Sequence, residues 1–346
     1  MLKRRALITG LGGLLAGCAG GAPATTAAST PPVPTPPLPE PAPIEAAGPP
    51  GFDTFLDGVR AEARRAGVSQ PTLQRALAGL QPNARVLELD RYQPETVLSW
   101  EQYRDRIVSP TRIENGRRAA AESRPLLGAI SDRYGVAPGV VVAIWGMETN
   151  YGTNTGGFGV VEALATLAWE GRRAEYFRKE LIAALKILEH GDVAPARMKG
   201  SWAGAMGQPQ FMPTNFDRLA VDFDGDGRRD IWDSRPDALA SIANYLARSG
   251  WKPGEPWGFP VRPPAGFDPE RADTETRRPA ADWARAGFRR ADGAPLPATG
   301  TELALAVPTR SSGEVFLAGP NLRAIRRYNP PINYALAVGL LADRVV

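Results

Sequence analysis

Beyond residue 51, apolar side chains recur mostly at helical spacing. Phe52, Phe55, Leu56, Val59 and Ala63 form one such stripe, stopped by Gly67. Helices are also expected over 111–121 and 126–134. Pro138 suits the first turn of another, with Gly152 beyond its end. An amphipathic helix over 172–190 buries Phe177, Leu181, Leu185 and Leu188. A further helix over 237–249 turns Leu239, Ile242, Ala243 and Leu246 inward before Gly250. From 251 to 320 Pro and Gly become frequent and the pattern shortens to strand-like runs at 302–307 and 314–318, after which helices return at 321–328 and 333–344. The expected fold is mainly α, of the α+β class: an α-rich part over 52–135, a core over 136–250, a small β part over 251–320 and closing helices over 321–346.

The first fifty residues follow another pattern. Lys3, Arg4 and Arg5 precede an apolar run over 6–16 that is too short to span a bilayer and has the order of a signal peptide. It ends at Leu15-Ala16-Gly17-Cys18, which resembles the lipobox of bacterial lipoproteins, so residues 1–18 are expected to be a lipoprotein signal and Cys18 the lipid anchor. Arg4-Arg5 also admits twin-arginine export. Ala19 after the Cys leans toward the outer membrane, with the protein facing the periplasm. Residues 19–50 are rich in Pro, Ala and Thr and are expected to form a disordered tether. The domain proper is 51–346.

Composition narrows the chemistry. The 346 residues are 43% hydrophobic and 23% charged, which is ordinary globular material. A formal charge of +4 suits an anionic polymer but is too small and too scattered to point to nucleic acid. One Cys excludes an internal disulfide, and one His excludes His-rich zinc sites.

The most informative stretch is 140–152. Glu148 falls in or near the last turn of the expected helix, and stepping back three, four and seven residues reaches Trp145, Ile144 and Val141. A carboxylate on an apolar stripe at the negative end of a helix dipole has its pKa raised, as a general acid at neutral pH requires. Such a Glu can equally hold a loop amide or pair with an Arg. The glycine-rich loop 153–159 lacks the Lys and strand of a phosphate cradle. His190, beside Gly191, is expected to cap its helix.

Residues 199–213 interleave small residues with Trp202 and Phe211, and Ser201 and Gln210 add uncharged hydrogen-bonding groups. This suits close approach of a sugar, or the clearance of a tightly packed helix pair. Asp222, Asp224, Asp226, Gly225 and Gly227 open a calcium-type loop with a carbonyl from Arg228. Asp233 stands where a Glu is usual, and Asp237 is an alternative donor in a longer loop, or part of a capping box with Ser234.

Taken together, Gly146-Met147-Glu148-Thr149-Asn150-Tyr151-Gly152, Ala174-Glu175-Tyr176-Phe177, the run from Gly200 to Pro213, the calcium-like loop, Ala243-Asn244-Tyr245 and Arg327-Tyr328-Asn329-Pro330 resemble the bacterial lytic murein transglycosylases of the membrane-bound B type, in the same order from about residue 52 to the C-terminus. The resemblance implies a lysozyme-like catalytic core that cleaves the bond between N-acetylmuramic acid and N-acetylglucosamine in peptidoglycan without water, leaving 1,6-anhydro ends. It places the single acid/base on Glu148 and the sugar-groove residues on Tyr176, Ser201, Gln210, Tyr245, Tyr328 and Asn329. It places the ligands of a structural Ca2+ on Asp222, Asp224, Asp226, the Arg228 carbonyl and Asp237, with no cofactor for the chemistry. The implied partners are peptidoglycan glycan strands, with cell-wall synthesis proteins as further candidates. A hydrolytic muramidase using the same acid, and a non-catalytic glycan-binding lipoprotein, are the rival readings.

Overall fold

The computed structural model describes residues 51–92, 98–297, 300–308 and 312–346. The signal peptide, Cys18 and the tether expected over 1–50 lie outside the described residues. In chain order the helices are α1 (Phe52–Arg65), α2 (Gln70–Leu77), α3 (Ala84–Arg91), α4 (Trp100–Ile107), α5 (Pro110–Glu122), α6 (Arg124–Tyr134), α7 (Pro138–Thr149), α8 (Val160–Glu170), α9 (Ala174–His190), α10 (Pro213–Leu219), α11 (Arg235–Arg248), α12 (Ala280–Arg285), α13 (Pro320–Tyr328) and α14 (Ile332–Val345). The strands are β1 (Phe158–Gly159), β2 (Lys199–Gly200), β3 (Gly258–Arg262), β4 (Arg277–Pro279), β5 (Arg289–Arg290), β6 (Glu302–Ala306) and β7 (Val315–Ala318). The mainly helical expectation is met.

Two helical cores meet at the site. α7 is apolar all round, which only burial on every side accommodates. Val140, Val141, Val142, Ile144, Trp145 and Met147 are all buried, and the helix packs most extensively on α14 and also on α5, α6 and α11. Three consecutive β-branched valines weaken intrinsic helix propensity, but each buried Val recovers roughly 1.5–3 kcal/mol, so packing prevails. The second core is built on α8 and α9, covered by α1, α2, α3 and α10. Residues 52–135 are thus shared out: α1–α3 join the second core, while α4–α6 join the first. Tyr328 packs against both.

The strands form a two-stranded sheet, β1 with β2, and a five-stranded antiparallel sheet of order β4-β6-β7-β3-β5 with its own apolar cluster around Trp283, Phe288 and Leu317. Its attachment is visible at Trp257, whose indole N–H donates to the Asp343 carboxylate on α14 (3.0 Å). α8, α10, α12 and three strands of the larger sheet were not anticipated individually. They are short, or, in α8, apolar on most faces, and periodicity identifies neither kind well.

Candidate active site

Glu148 sits in the last turn of α7. The helix ends at Thr149 with Asn150 as its C-cap, and Gly152 lies beyond the end as expected; Asn150 (φ 49°) and Tyr151 (φ 61°) both adopt left-handed conformations. Two consecutive non-glycine residues in that region are costly and need outside support. Tyr151 has it: its hydroxyl donates to the Arg112 carbonyl (2.8 Å), its ring meets Trp145 edge-on, and it lies across Gly146. A Cβ on Gly146 would come within 2.5 Å of that ring. Glycine is therefore required by close approach.

Glu148 is half-buried as a residue, and its carboxyl is crowded by protein. Burial raises its pKa from 4.5 to about 7, against an opposing hydrogen bond in which the Tyr334 hydroxyl donates to Oε1 (2.6 Å). Among the described residues, no other carboxylate and no cation is among the influences on it. Tyr103, Tyr328 and Tyr334 all lie close enough for a charge on Glu148 to oppose their ionisation, and burial already holds each phenol protonated, Tyr103 up to about 12. Neutral phenols thus surround an acid that stays half protonated near neutrality. Of these three, only Tyr328 was anticipated from the sequence. Tyr334 lies on an apolar stripe of α14, where nothing in the pattern separates it from core.

The stretch 199–213 is not half of a helix pair. It is a compact loop laced by antiparallel bridges between Gly200 and Met206 and between Met206 and Phe211. Gly207 (φ 61°) lets the chain pass the Ile231 carbonyl, which a Cβ would approach to 2.7 Å. The loop is tied to α7 by Gln208, missed in the sequence reading. Its buried amide accepts from the Trp145 indole (2.9 Å) and donates to the Trp232 carbonyl (3.0 Å), and its backbone carbonyl accepts from the Thr149 hydroxyl (3.0 Å).

Phe211, Tyr245 and Tyr328 form an aromatic wall, with the two tyrosine rings 4.6 Å apart and Phe211 5.6 and 5.9 Å from them. Tyr328 donates to the Pro209 carbonyl (2.6 Å) and Tyr245 to the Arg327 carbonyl (2.7 Å), so both hydroxyls are committed and the rings are fixed. Gln210, held at φ 53°, uses its NH2 on Thr155 and Gly207, which leaves its carbonyl oxygen available. Ser201 accepts from the Ala205 amide (3.1 Å) and retains a hydroxyl hydrogen to donate. The Asn329 backbone N–H donates to the Ile325 carbonyl (3.2 Å), while its side-chain amide has no hydrogen-bond partner among the described residues. Tyr176 stands exposed at the start of α9 with its ring against Phe177 (5.1 Å), and no hydrogen bond or ring contact joins it to Glu148.

In the acidic loop, carboxylate oxygens of Asp222, Asp224 and Asp237 lie within 4.8 Å of one another. Asp237 is buried and accepts amides of Phe223, Asp224 and Asp230, so it closes the loop from α11. The expected capping box is half formed: Ser234 accepts from the Asp237 amide, while the Asp237 carboxylate faces the loop. Asp226 is turned to the Arg228 guanidinium, and Asp233 to Arg197. His190 ends α9 and pairs with buried Asp192 (3.1 Å), away from any catalytic group.

A family model for the transglycosylase SLT domain matches residues 51–343. Membrane-bound lytic murein transglycosylase B of Escherichia coli K12 is 32% identical over 306 residues, 86% of this chain and 82% of that protein. The crystal structure of SltB3 from Pseudomonas aeruginosa in complex with NAG-NAM-pentapeptide superposes with a TM-score of 0.82 at 49% identity, covering 85% of this chain and 79% of that one. Escherichia coli Slt35 in complex with calcium gives a TM-score of 0.71 at 32% identity over 87% of this chain and 93% of that one. A match over nearly all the described residues, on a fold that crowds one uncharged-leaning glutamate with phenols, leads to one conclusion: the chain belongs to the transglycosylase SLT-domain family and is a lytic murein transglycosylase, a lyase acting on peptidoglycan.

Proposed function

We propose that Glu148 alone supplies both proton transfers in cleavage of the N-acetylmuramic acid to N-acetylglucosamine bond. The observation that carries this is a carboxyl whose pKa burial raises to about 7, with no second carboxylate acting on it among the described residues. Protonated Glu148 donates to the bridging oxygen as the bond breaks and positive charge develops on the muramic ring. Glycosidases that rely on two carboxylates stabilise or attack that centre with the second. Here the acetamido oxygen of the substrate is the internal nucleophile, oriented by Ser201 or Asn329. Ionised Glu148 then takes the proton of the 6-hydroxyl, whose oxygen attacks C1, breaks the bond from C1 to the acetamido oxygen and closes the anhydro ring, so the acetamido group is restored. The proton lost in the first step is recovered in the second, and no water is consumed. The hydrogen bond from Tyr334 stabilises the ionised form between the two transfers.

In this reading Tyr245 and Tyr328 offer ring faces to the sugars, Gln210 an acceptor, and Tyr176 the outer edge of the groove. Asp222, Asp224 and Asp237 provide the hard oxygen donors that suit calcium, and Asp226 and the Arg228 carbonyl would complete the set that the family resemblance implies. A bound ion would hold the loop against α11 and takes no part in the chemistry. Lipid on Cys18, on the periplasmic face of the outer membrane, would keep the domain within reach of the wall, and cell-wall synthesis proteins are the proposed protein partners there.

The test is to digest purified sacculi and identify product termini by mass spectrometry. Anhydro ends that disappear with Glu148→Gln are expected. Reducing ends would instead indicate hydrolysis, and undiminished anhydro release by the variant would refute the role of Glu148.

A further inference from the structure

Beyond the aromatic wall lies a cationic concavity of about 210 Å³, lined by Ser249, Lys252, Arg277, Pro320, Arg323 and Arg327 among others. It is close to the site. Ser249 is one turn, about 6 Å, past Tyr245 along the helix direction. Arg327 precedes Tyr328, and its guanidinium is held over the end of α11 by the Ser249 carbonyl (2.9 Å). Arg323 and Arg327 stand four residues apart on α13, an arrangement of like charges that destabilises a helix by itself.

Neutralisation of the four cations is incomplete. Glu275 approaches Arg323 at 3.5 Å, with both groups largely exposed, and such a pair contributes little. Among the described residues, the Arg277 guanidinium bonds only a backbone carbonyl, that of Glu302 (3.3 Å), and the Lys252 ammonium has no partner, although its backbone is pinned by Asn321. The volume corresponds to about seven waters at about 30 Å³ each, enough for a carboxylate and its neighbouring atoms.

We propose that this concavity is a subsite for the carboxylates of the peptidoglycan stem peptide, with Lys252 and Arg323 as the direct donors and Arg327 and Arg277 setting the field. The inference rests on the peptidoglycan reading of the Glu148 groove. The SltB3 relative was crystallised with a sugar that carries a pentapeptide, and such a peptide ends in a carboxylate unless capped. A strand whose muramic ring lies against Tyr245 and Tyr328 would carry its peptide past that wall, where this chain presents four cations. Charge-assisted hydrogen bonds from an ammonium and a guanidinium would select strands that retain acidic stems.

The test compares peptide-bearing glycan strands with strands stripped of peptide by an amidase, using the detergent-solubilised full chain. Lys252→Ala combined with Arg323→Ala is expected to raise KM about tenfold on peptide-bearing strands, kcat being little altered, and to leave the stripped strands cleaved as before. Lys252→Arg with Arg323→Lys should retain most of the affinity. The preference of the unmodified protein for peptide-bearing strands should shrink in about 0.5 M salt, where screening is strong. Equal losses on both substrates, or none on either, would overturn the proposal. Should the unmodified protein cleave neither strand, it is the peptidoglycan reading that fails.

Discussion

Glu148→Gln keeps the shape of the side chain and an oxygen to accept from Tyr334 while removing the titration. Burial raises the carboxyl from 4.5 to about 7, which costs its charged form about 3 kcal/mol at about 1.4 kcal/mol per pH unit. The sign follows from linkage. Below about pH 4.5 folded and unfolded chains both hold the proton and the contribution vanishes. Between 4.5 and about 7 the unfolded chain ionises first, so stability falls as pH rises. Above about 7 both are ionised and the whole penalty stands. Urea unfolding followed by tryptophan fluorescence should therefore give nearly equal stabilities for the two proteins at about pH 4, diverging until the variant is about 3 kcal/mol the more stable at about pH 8. A constant offset across that range would mean that Glu148 ionises in the folded protein as it would in water. The proton-holding on which the proposed chemistry depends would then be gone.

Tyr334→Phe removes the one hydrogen bond that favours the ionised carboxyl, so the alkaline limb of the kcat/KM profile should move to higher pH while kcat falls about tenfold; a limb that moves to lower pH would contradict the assignment. Addition of calcium should stabilise the protein by roughly 3 kcal/mol at a hundred times Kd, and Asp224→Ala should abolish that increment in thermal unfolding, whereas Asp226→Ala, which removes a group already engaged with Arg228, should only diminish it.

Much of the framework was legible from the chain. The apolar stripes that predicted α1, α5, α6, α7, α9, α11, α13 and α14 were long enough for their period to be unambiguous, and Pro at the first turn or Gly past the last marked several ends. Spacing alone placed Glu148 near a helix terminus among large apolar residues. What spacing could not reach was anything formed by residues distant in sequence. Tyr334, 186 positions beyond its partner, supplies the only side-chain hydrogen bond to the acid among the described residues. Gln208 reads as one more polar residue in a loop until Trp145 and Trp232 are found on either side of it.

The acidic loop shows the same division. Its opening carboxylates are a local motif, and their spacing needs no fold. Whether Asp233 or Asp237 closes the loop depended on Arg197, which draws Asp233 outward, and on the start of α11, which turns Asp237 inward. The sequence by itself determined most of the longer helices and put Glu148 near the end of one of them, because both follow from residue type and short-range period. Only the tertiary structure decided the protonation of Glu148, the partners that crowd it and the cations gathered beyond the aromatic wall, because electrostatics act through space and depend on which distant segments packing brings together.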